Sequence, residues 1–309
     1  MTKLVLGALL AVSCFAADVE TAPLLPYHVV ADWAKLPPGW NFGETSGVSV
    51  APDGAIWVFN RGAHPVLQFS SDGRLLQAWT DVPITTAHGL RVDAQGNVWL
   101  VDVKGHAVMK FTPQGRLLMV ITQAGKRPGD NDSKYSFNEP TSLAFAPGGG
   151  FYVTDGYVNS RVIQYSSEGE YIRHWGKKGK ADGEFDLVHD VVLDKRGRLY
   201  VADRNNSRVQ LFDGDGKFLA KWDHLGQPWG LAYVEAEDAI YLCDGLNNRI
   251  VEVSTEGKIL GRLSGFGKVP GKLDFPHHMA IAPDGSIYVA EIKNWRVQKF
   301  VREQRAIEE

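Results

Sequence analysis

The sequence predicts an all-β chain closed into a six-bladed β-propeller. Three observations carry that expectation: a unit recurs six times, its turns are spaced as propeller blades are, and the N-terminal segment resembles the one strand that the last copy lacks. The copies run from SGVSVAPDGAIWVFNR through RVDAQGNVWLVD, AFAPGGGFYVTDG, VLDKRGRLYVADR and AYVEAEDAIYLCDG to AIAPDGSIYVAE. Their turn positions Gly54, Gly96, Gly149, Gly197, Asp238 and Gly285 lie 42, 53, 48, 41 and 47 residues apart, a period typical of propeller blades.

Each copy reads as four short antiparallel strands. In the fourth copy these are HDVVLD, RLYVAD, RVQLFD and KFLAKWD, joined by the turns KRG, RNNS and GDG. Val, Ile, Tyr and Trp at alternating positions favour strands, while Gly, Asp and Asn supply turn positions with positive φ. No amphipathic helical period is present. The sixth copy stops at WRVQKFV without a fourth strand, and HVVADWAKLP near the N-terminus resembles KFLAKWDHLG. The N-terminal segment is therefore expected to supply the outer strand of blade six and close the ring, which protects the edges of an open array.

Composition fits one large β domain with a removable leader. The chain has 309 residues and a formal net charge of −3 with no basic stripe, which argues against nucleic acid as a partner. Residues 1–16 read as a secretory signal peptide: Met1-Thr-Lys, the apolar run Leu4 to Val12, then the small-residue site Cys14-Phe15-Ala16. An uncleaved anchor and a lipoprotein attached through Cys14 are the alternatives. The propeller would then occupy 17–302 and a tail 303–309, in a secreted or periplasmic monomer with no membrane partner once the signal is cleaved. Cys243 would be the one cysteine left, a small buried side chain and not a disulfide half.

Within the repeat frame, three histidines share one position of alternate copies. His88, His189 and His277 each precede the turn glycine by eight residues, so a ring of blades would bring their imidazoles together from blades two, four and six. Blades one, three and five carry Ser46, Thr141 and Trp229 there, with a one-residue slip at Trp229. Three neutral imidazoles with an open fourth position are the ligand set of catalytic zinc. The competing reading is three histidines satisfied by neighbouring backbone. His28, His64, His106, His174 and His224 fall outside the register.

The inner strand starts on the rim where the second strand ends, because neighbouring strands run antiparallel. That geometry brings Asn60-Arg61, Asp155-Gly156-Tyr157 and Asp203-Arg204 to the same rim as the histidines. Arginine can hold a carboxylate with a two-pronged fork. A phenol is a poor base at its ordinary pKa of about 10, and nearby cations stabilise the phenolate. Against these roles stand plainer ones. Arg204 would pair with an aspartate, as expected for Arg161, Arg208, Arg249 and Arg296, and Tyr157 would be a rim aromatic.

The segments VFNRGAH, AHGLRVD, EPTSLAF, VTDGYVNSRVIQYSSEG, VADRNNSRVQLF and FPHHMAIAPDGSIYVAE closely resemble the catalytic core of peptidylglycine amidating enzymes, the peptidyl-α-hydroxyglycine α-amidating lyase. The repeats also look like NHL repeats. The resemblance implies zinc on His88, His189 and His277, a catalytic Tyr157, and active-site arginines at Arg61 and Arg204. It implies a structural calcium on the backbone carbonyls of Val48 and Leu90 and on an aspartate directly after the third histidine. That aspartate is His278 here, which removes a hard oxygen donor and speaks against calcium. A methionine of the family is Phe275, and Val158 stands where a disulfide cysteine would be. The implied reaction splits an α-hydroxyglycine carbinolamide into a peptide amide and glyoxylate.

Two other functions remain open at this stage. One is a secreted NHL propeller that binds peptide or glycan without catalysis. The other is an enzyme with the same metal site and a different substrate, since the sequence contains no copper monooxygenase domain to make a hydroxyglycine.

Overall fold

A computed structural model describes residues 18–125 and 127–303; the signal-peptide reading of residues 1–16 falls outside them. Six four-stranded antiparallel sheets form the blades, over residues 45–79, 87–121, 140–175, 188–222, 228–263 and 276–302. Strands are lettered a to d from the channel outward. In blade six the outermost strand is Tyr27–Val30, which pairs with Arg296–Arg302 in the register Tyr27↔Arg302 to Val30↔Lys299. The ring is closed as the sequence leads one to expect, by the N-terminal segment. The segment before it is fastened too: Leu24 bridges to Arg262 of blade five, Val19 is buried, and Glu20 pairs with Arg249. Among the described residues no helix is long and apolar enough to cross a membrane.

The b strands show why the unit repeats as it does. Ile56–Asn60, Val98–Asp102, Phe151–Asp155, Leu199–Asp203, Ala239–Asp244 and Ile287–Glu291 are buried at every position. Both faces of such a strand are covered because each blade lies between two neighbours. The d strands lie at the perimeter and alternate, as in Leu117–Ile121, where Ile121 alone is buried. Six hydrophobic cores result, one per junction. Between blades four and five, Tyr200, Ala202, Val209 and Leu211 meet Leu231, Ile240, Leu242 and Val251. Between blades six and one, Tyr288, Ala290 and Val297 meet Val48, Val58 and Phe69. At about 1.5–3 kcal/mol for each large apolar side chain buried, the junctions rather than the isolated sheets hold the ring.

Buried ion pairs brace the loops between b and c strands. The last residues of four b strands, Asp155, Asp203, Asp244 and Glu291, receive Nε of Arg161, Arg208, Arg249 and Arg296 at 2.7–2.9 Å. The same carboxylates accept backbone N–H groups of Asn138, Asp186, Gln227 and Asp274, which fixes the chain entering each inner strand. Cys243 is fully buried and its thiol is pushed well up by that burial, in keeping with a structural role.

Candidate metal centre

A β-bulge begins the inner strand of every blade, and it is what aims the histidines. In blade four, Val188 lies opposite Asp203 and Asp190 opposite Ala202, so His189 is the extra residue between them. His277 is the extra residue between Pro276 and His278, and His88 lies in the irregular step from Ala87 to Leu90. A bulge turns consecutive side chains toward the same side. The imidazole and the residue after it can therefore both face the channel. Close approach of the inner strands needs a missing side chain in places: a Cβ on Gly89 would lie 2.6 Å from the Thr141 carbonyl oxygen, and one on Gly230 2.7 Å from that of His277.

The three imidazoles form a nearly equilateral triangle. Ring centroids lie 4.9 Å apart for His88 and His189, 4.7 Å for His88 and His277, and 4.8 Å for His189 and His277. Ligand atoms on all three lie within 4.8 Å of one another, and all three side chains are buried. Each Nδ1 donates to a carbonyl oxygen in the following blade: His88 to Thr141 at 2.6 Å, His189 to Trp229 at 2.8 Å, His277 to Ser46 at 2.7 Å. A carbonyl only accepts, so the proton is on Nδ1 and the lone pair on Nε2. These acceptors are the histidine-equivalent residues of blades three, five and one.

This arrangement fits a metal ion. Among the described residues Nε2 of His189 is buried with no hydrogen-bond partner, and a buried lone pair is costly to leave unmatched. A second nitrogen donating to backbone is the usual support for a metal-bound imidazole. Burial holds all three imidazoles well below their usual titration range, and cationic neighbours add to it: Arg61 and Arg204 at His88, Arg204 at His189, Arg61 at His277. They are therefore neutral ligands at neutral pH. Calcium does not fit the second position. Leu90 O accepts Nη1 of Arg91 at 3.1 Å, and His278, buried, donates Nδ1 to Ser46 O at 2.8 Å, so the residues around Val48 and Leu90 present nitrogen rather than open oxygen donors.

On the rim, a common backbone contact fixes a residue one or two positions past strand b. The N–H groups of Arg61, Val103, Tyr157, Arg204 and Ile292 donate to the carbonyls of Glu44, Thr86, Glu139, Leu187 and Phe275 at 2.9–3.3 Å. Each acceptor lies two residues before the histidine position, which ties the loop to the metal register. Tyr157 Oη lies 3.2 Å from His88 Nε2, and Arg204 Nη1 lies 3.5 Å from the same oxygen. Among the described residues Arg204 makes no ion pair; its guanidinium lies 4.0 Å above the Trp229 ring and its burial lowers its pKa. Arg61 stands differently. Its Nε donates to Ala87 O at 3.1 Å and its Nη1 to Glu44 Oε2 at 2.6 Å, so the rim already holds a carboxylate against it.

Repeat register and the family resemblance point to the histidines, Tyr157 and both arginines, but not to what supports them. Trp229 is the chief omission. Its carbonyl fixes His189, its ring carries Arg204, and Phe275 meets it edge-on with centroids 4.4 Å apart. The slip at Trp229 in the repeat frame was the available signal. Glu44 and the pair Arg91 and Asp190 left none.

Comparison with known proteins identifies the family. The family model described as the SMP-30/gluconolactonase/LRE-like region matches residues 126–309. NHL repeat-containing protein 3 of Homo sapiens is 31% identical over 307 residues, covering 93% of this chain and 87% of that one. Peptidyl-glycine alpha-amidating monooxygenase A of Xenopus laevis is 28% identical over 87% of this chain, which spans only 32% of that protein's length. Peptidyl-alpha-hydroxyglycine alpha-amidating lyase 1 of Drosophila melanogaster is 32% identical over 55% of this chain and 36% of its own. With more than half its length matched and a relative aligned nearly end to end, the chain belongs to the SMP-30/gluconolactonase/LRE-like family of NHL-type β-propellers.

Proposed function

We propose that the chain is a zinc-dependent carbon–nitrogen lyase that splits an α-hydroxyglycine carbinolamide into an amide and glyoxylate. The observation that carries this reading is the convergence of three neutral imidazoles with Tyr157 Oη, 3.2 Å from His88 Nε2, and with the Arg204 guanidinium, 3.5 Å from that oxygen. Likeness to relatives named for peptide amidation supports it.

Zinc on the three Nε2 atoms would supply a Lewis acid that polarises the substrate's hydroxyl or carboxylate oxygen. Tyr157, as the general base, takes the proton of the carbinol hydroxyl. As the C–O bond becomes the aldehyde of glyoxylate, the C–N bond breaks and its electron pair stays on the amide nitrogen. Tyr157 then returns the proton to that nitrogen, so atoms and charge balance without a covalent enzyme intermediate. Arg204, which makes no ion pair among the described residues, holds the substrate carboxylate, and its stacking on Trp229 sets the fork's orientation. Arg61 joins it only by exchanging Glu44 for the substrate.

The test is metal content of the purified protein measured together with glyoxylate release from a short peptide ending in α-hydroxyglycine. Stoichiometric zinc with release is the expected result. Zinc without release turns the same site toward another substrate, such as the lactones of the family description, a reading that the Arg61–Glu44 pair favours. Failure to hold any metal after reconstitution leaves a binding propeller.

A further inference from the structure

The residues next to the histidines build a second polar layer in the channel. Asp190, directly after His189, is fully buried; Arg91, three after His88, and His278, directly after His277, meet it there. Arg91 Nη2 donates to both Asp190 oxygens at 2.7 and 2.9 Å, and its Nη1 to Leu90 O at 3.1 Å. Asp190 also accepts the N–H groups of Val191 at 2.9 Å and Leu231 at 2.7 Å. His278 Nε2 lies 3.4 Å from Asp190 Oδ2, and its Nδ1 donates to Ser46 O. This one chain of contacts joins blades two, four, five, six and one.

We propose that the Arg91 guanidinium is the channel's own resident cation, standing where a divalent ion would otherwise bind, so that the channel takes one metal ion, at the histidines, and none beside it. The donor chemistry carries the inference. A hard cation such as calcium needs six to eight oxygen ligands. Asp190 supplies the carboxylate, but both of its oxygens already receive N–H donors. Leu90 O is taken by Arg91, and Ser46 O is shared by His277 and His278. A calcium ion would have to expel a guanidinium that is permanently charged and bound through both of its prongs. Burial on its own would raise the Asp190 carboxyl, yet the guanidinium holds it well below its usual range. The positive charge that this carboxylate requires is already built into the sequence. The inference does not depend on the lyase reading, since it concerns stability and metal count.

The experiment starts with the zinc-loaded protein, to which millimolar calcium and then a calcium-selective chelator are added. The readouts are bound metal by elemental analysis and the thermal midpoint. One divalent ion per chain, and a midpoint that moves by less than about 1 °C, is the expected result. A second bound ion, or a saturable rise of several degrees, overturns the proposal. In the double variant Arg91→Gln/His278→Asp, oxygen donors replace the cationic and imidazole groups, and calcium is expected to raise the midpoint by several degrees. A double variant that folds and ignores calcium also overturns it. If that variant does not fold with or without calcium, the metal count and calcium response of the wild-type protein decide.

Discussion

Three buried, neutral imidazoles in one channel make the metal-free protein sensitive to mild acid, and the size of the effect follows from the structure. His88, His189 and His277 have folded-state pKa values held well below 6.5 by burial, with neighbouring cations adding to it. A depressed folded value means that the unfolded chain binds the proton first. Stability is therefore fully present above about pH 6.5 and falls as the pH drops from there toward the folded values. Each such group contributes a slope of about 1.4 kcal/mol per pH unit in that window, and three contribute roughly 4. Taking the metal-free protein from about pH 7.5 to about 5.5 should then cost roughly 4 kcal/mol, a large part of an ordinary stability of about 5–15. Urea unfolding of the chelator-treated protein at the two pH values measures it. His174 shifts in the same direction and adds to the total, so the decisive quantity is a difference. His189→Gln keeps a donor for the Trp229 carbonyl and should remove about a third of the three-histidine loss. Zinc affinity of the folded protein should change little across the same window, because the folded imidazoles bind no proton there. Equal stability at both pH values, or an unchanged slope in His189→Gln, would refute the claim that these histidines are neutral in the fold.

The remaining predictions concern the rim. Tyr157→Phe should keep its zinc and lose about 10²–10⁴-fold in kcat, the range of a positioned general base, whereas His189→Ala should lose metal and turnover together; wild-type turnover in Tyr157→Phe would remove the proton-transfer role. Trp229→Ala takes away the surface on which Arg204 lies. At about 0.5–2 kcal/mol for a cation–π contact, KM for a carboxylate substrate should rise roughly 2- to 30-fold with kcat less affected, and Trp229→Phe should recover most of it. An unchanged KM in the alanine variant would show that Arg204 is positioned by its other contacts.

The repeat frame was legible because its turns are conformationally demanding. Gly54, Gly96, Gly149, Gly197, Asp238 and Gly285 all have positive φ, a requirement that limits the residue type and so leaves the period visible. The closing strand was legible for a related reason, since Tyr27–Val30 must offer the same pattern to Arg296–Arg302 that other d strands offer their neighbours. Side chains that bind through their own chemistry, the three histidines and Arg204 among them, could be placed on the rim by register alone. Backbone events could not. The bulge that aims each histidine has no fixed residue type, because it also falls at Ser46, at Thr141 and in the step that holds Trp229. The carbonyls of Ser46, Thr141 and Trp229 are chemically alike whatever side chain they carry, so the blades that lack imidazole looked inert although they fix the tautomer of those that have it. Arg91 and Asp190 lie 99 residues apart and nothing local marks them as partners. The Arg61–Glu44 pair was equally hidden.

An even number of blades allows the ring to alternate two roles without a break. Blades two, four and six present imidazoles, and blades three, five and one present the carbonyls that hold them, so three equivalent pairs close on the channel axis. Repeated units can supply such a symmetric ligand shell, but a reaction needs direction. Direction comes from the anchored residue just past strand b, which is Arg61, Tyr157 and Arg204 in blades one, three and four but Val103 and Ile292 in blades two and six. The polar groups are therefore unevenly placed around the triangle, and a substrate carrying both a carboxylate and a hydroxyl would have a preferred orientation over it. The next layer of the channel breaks the symmetry a second time, with Arg91, Asp190 and His278 in blades two, four and six. Asp190 and His278 occupy equivalent positions there, whereas blade two has Gly89 at that place and Arg91 reaches in from two residues further along. That layer carries its own anion and cation in one ion pair, Asp190 with Arg91, whereas the first layer is three neutral imidazoles that could hold a metal ion.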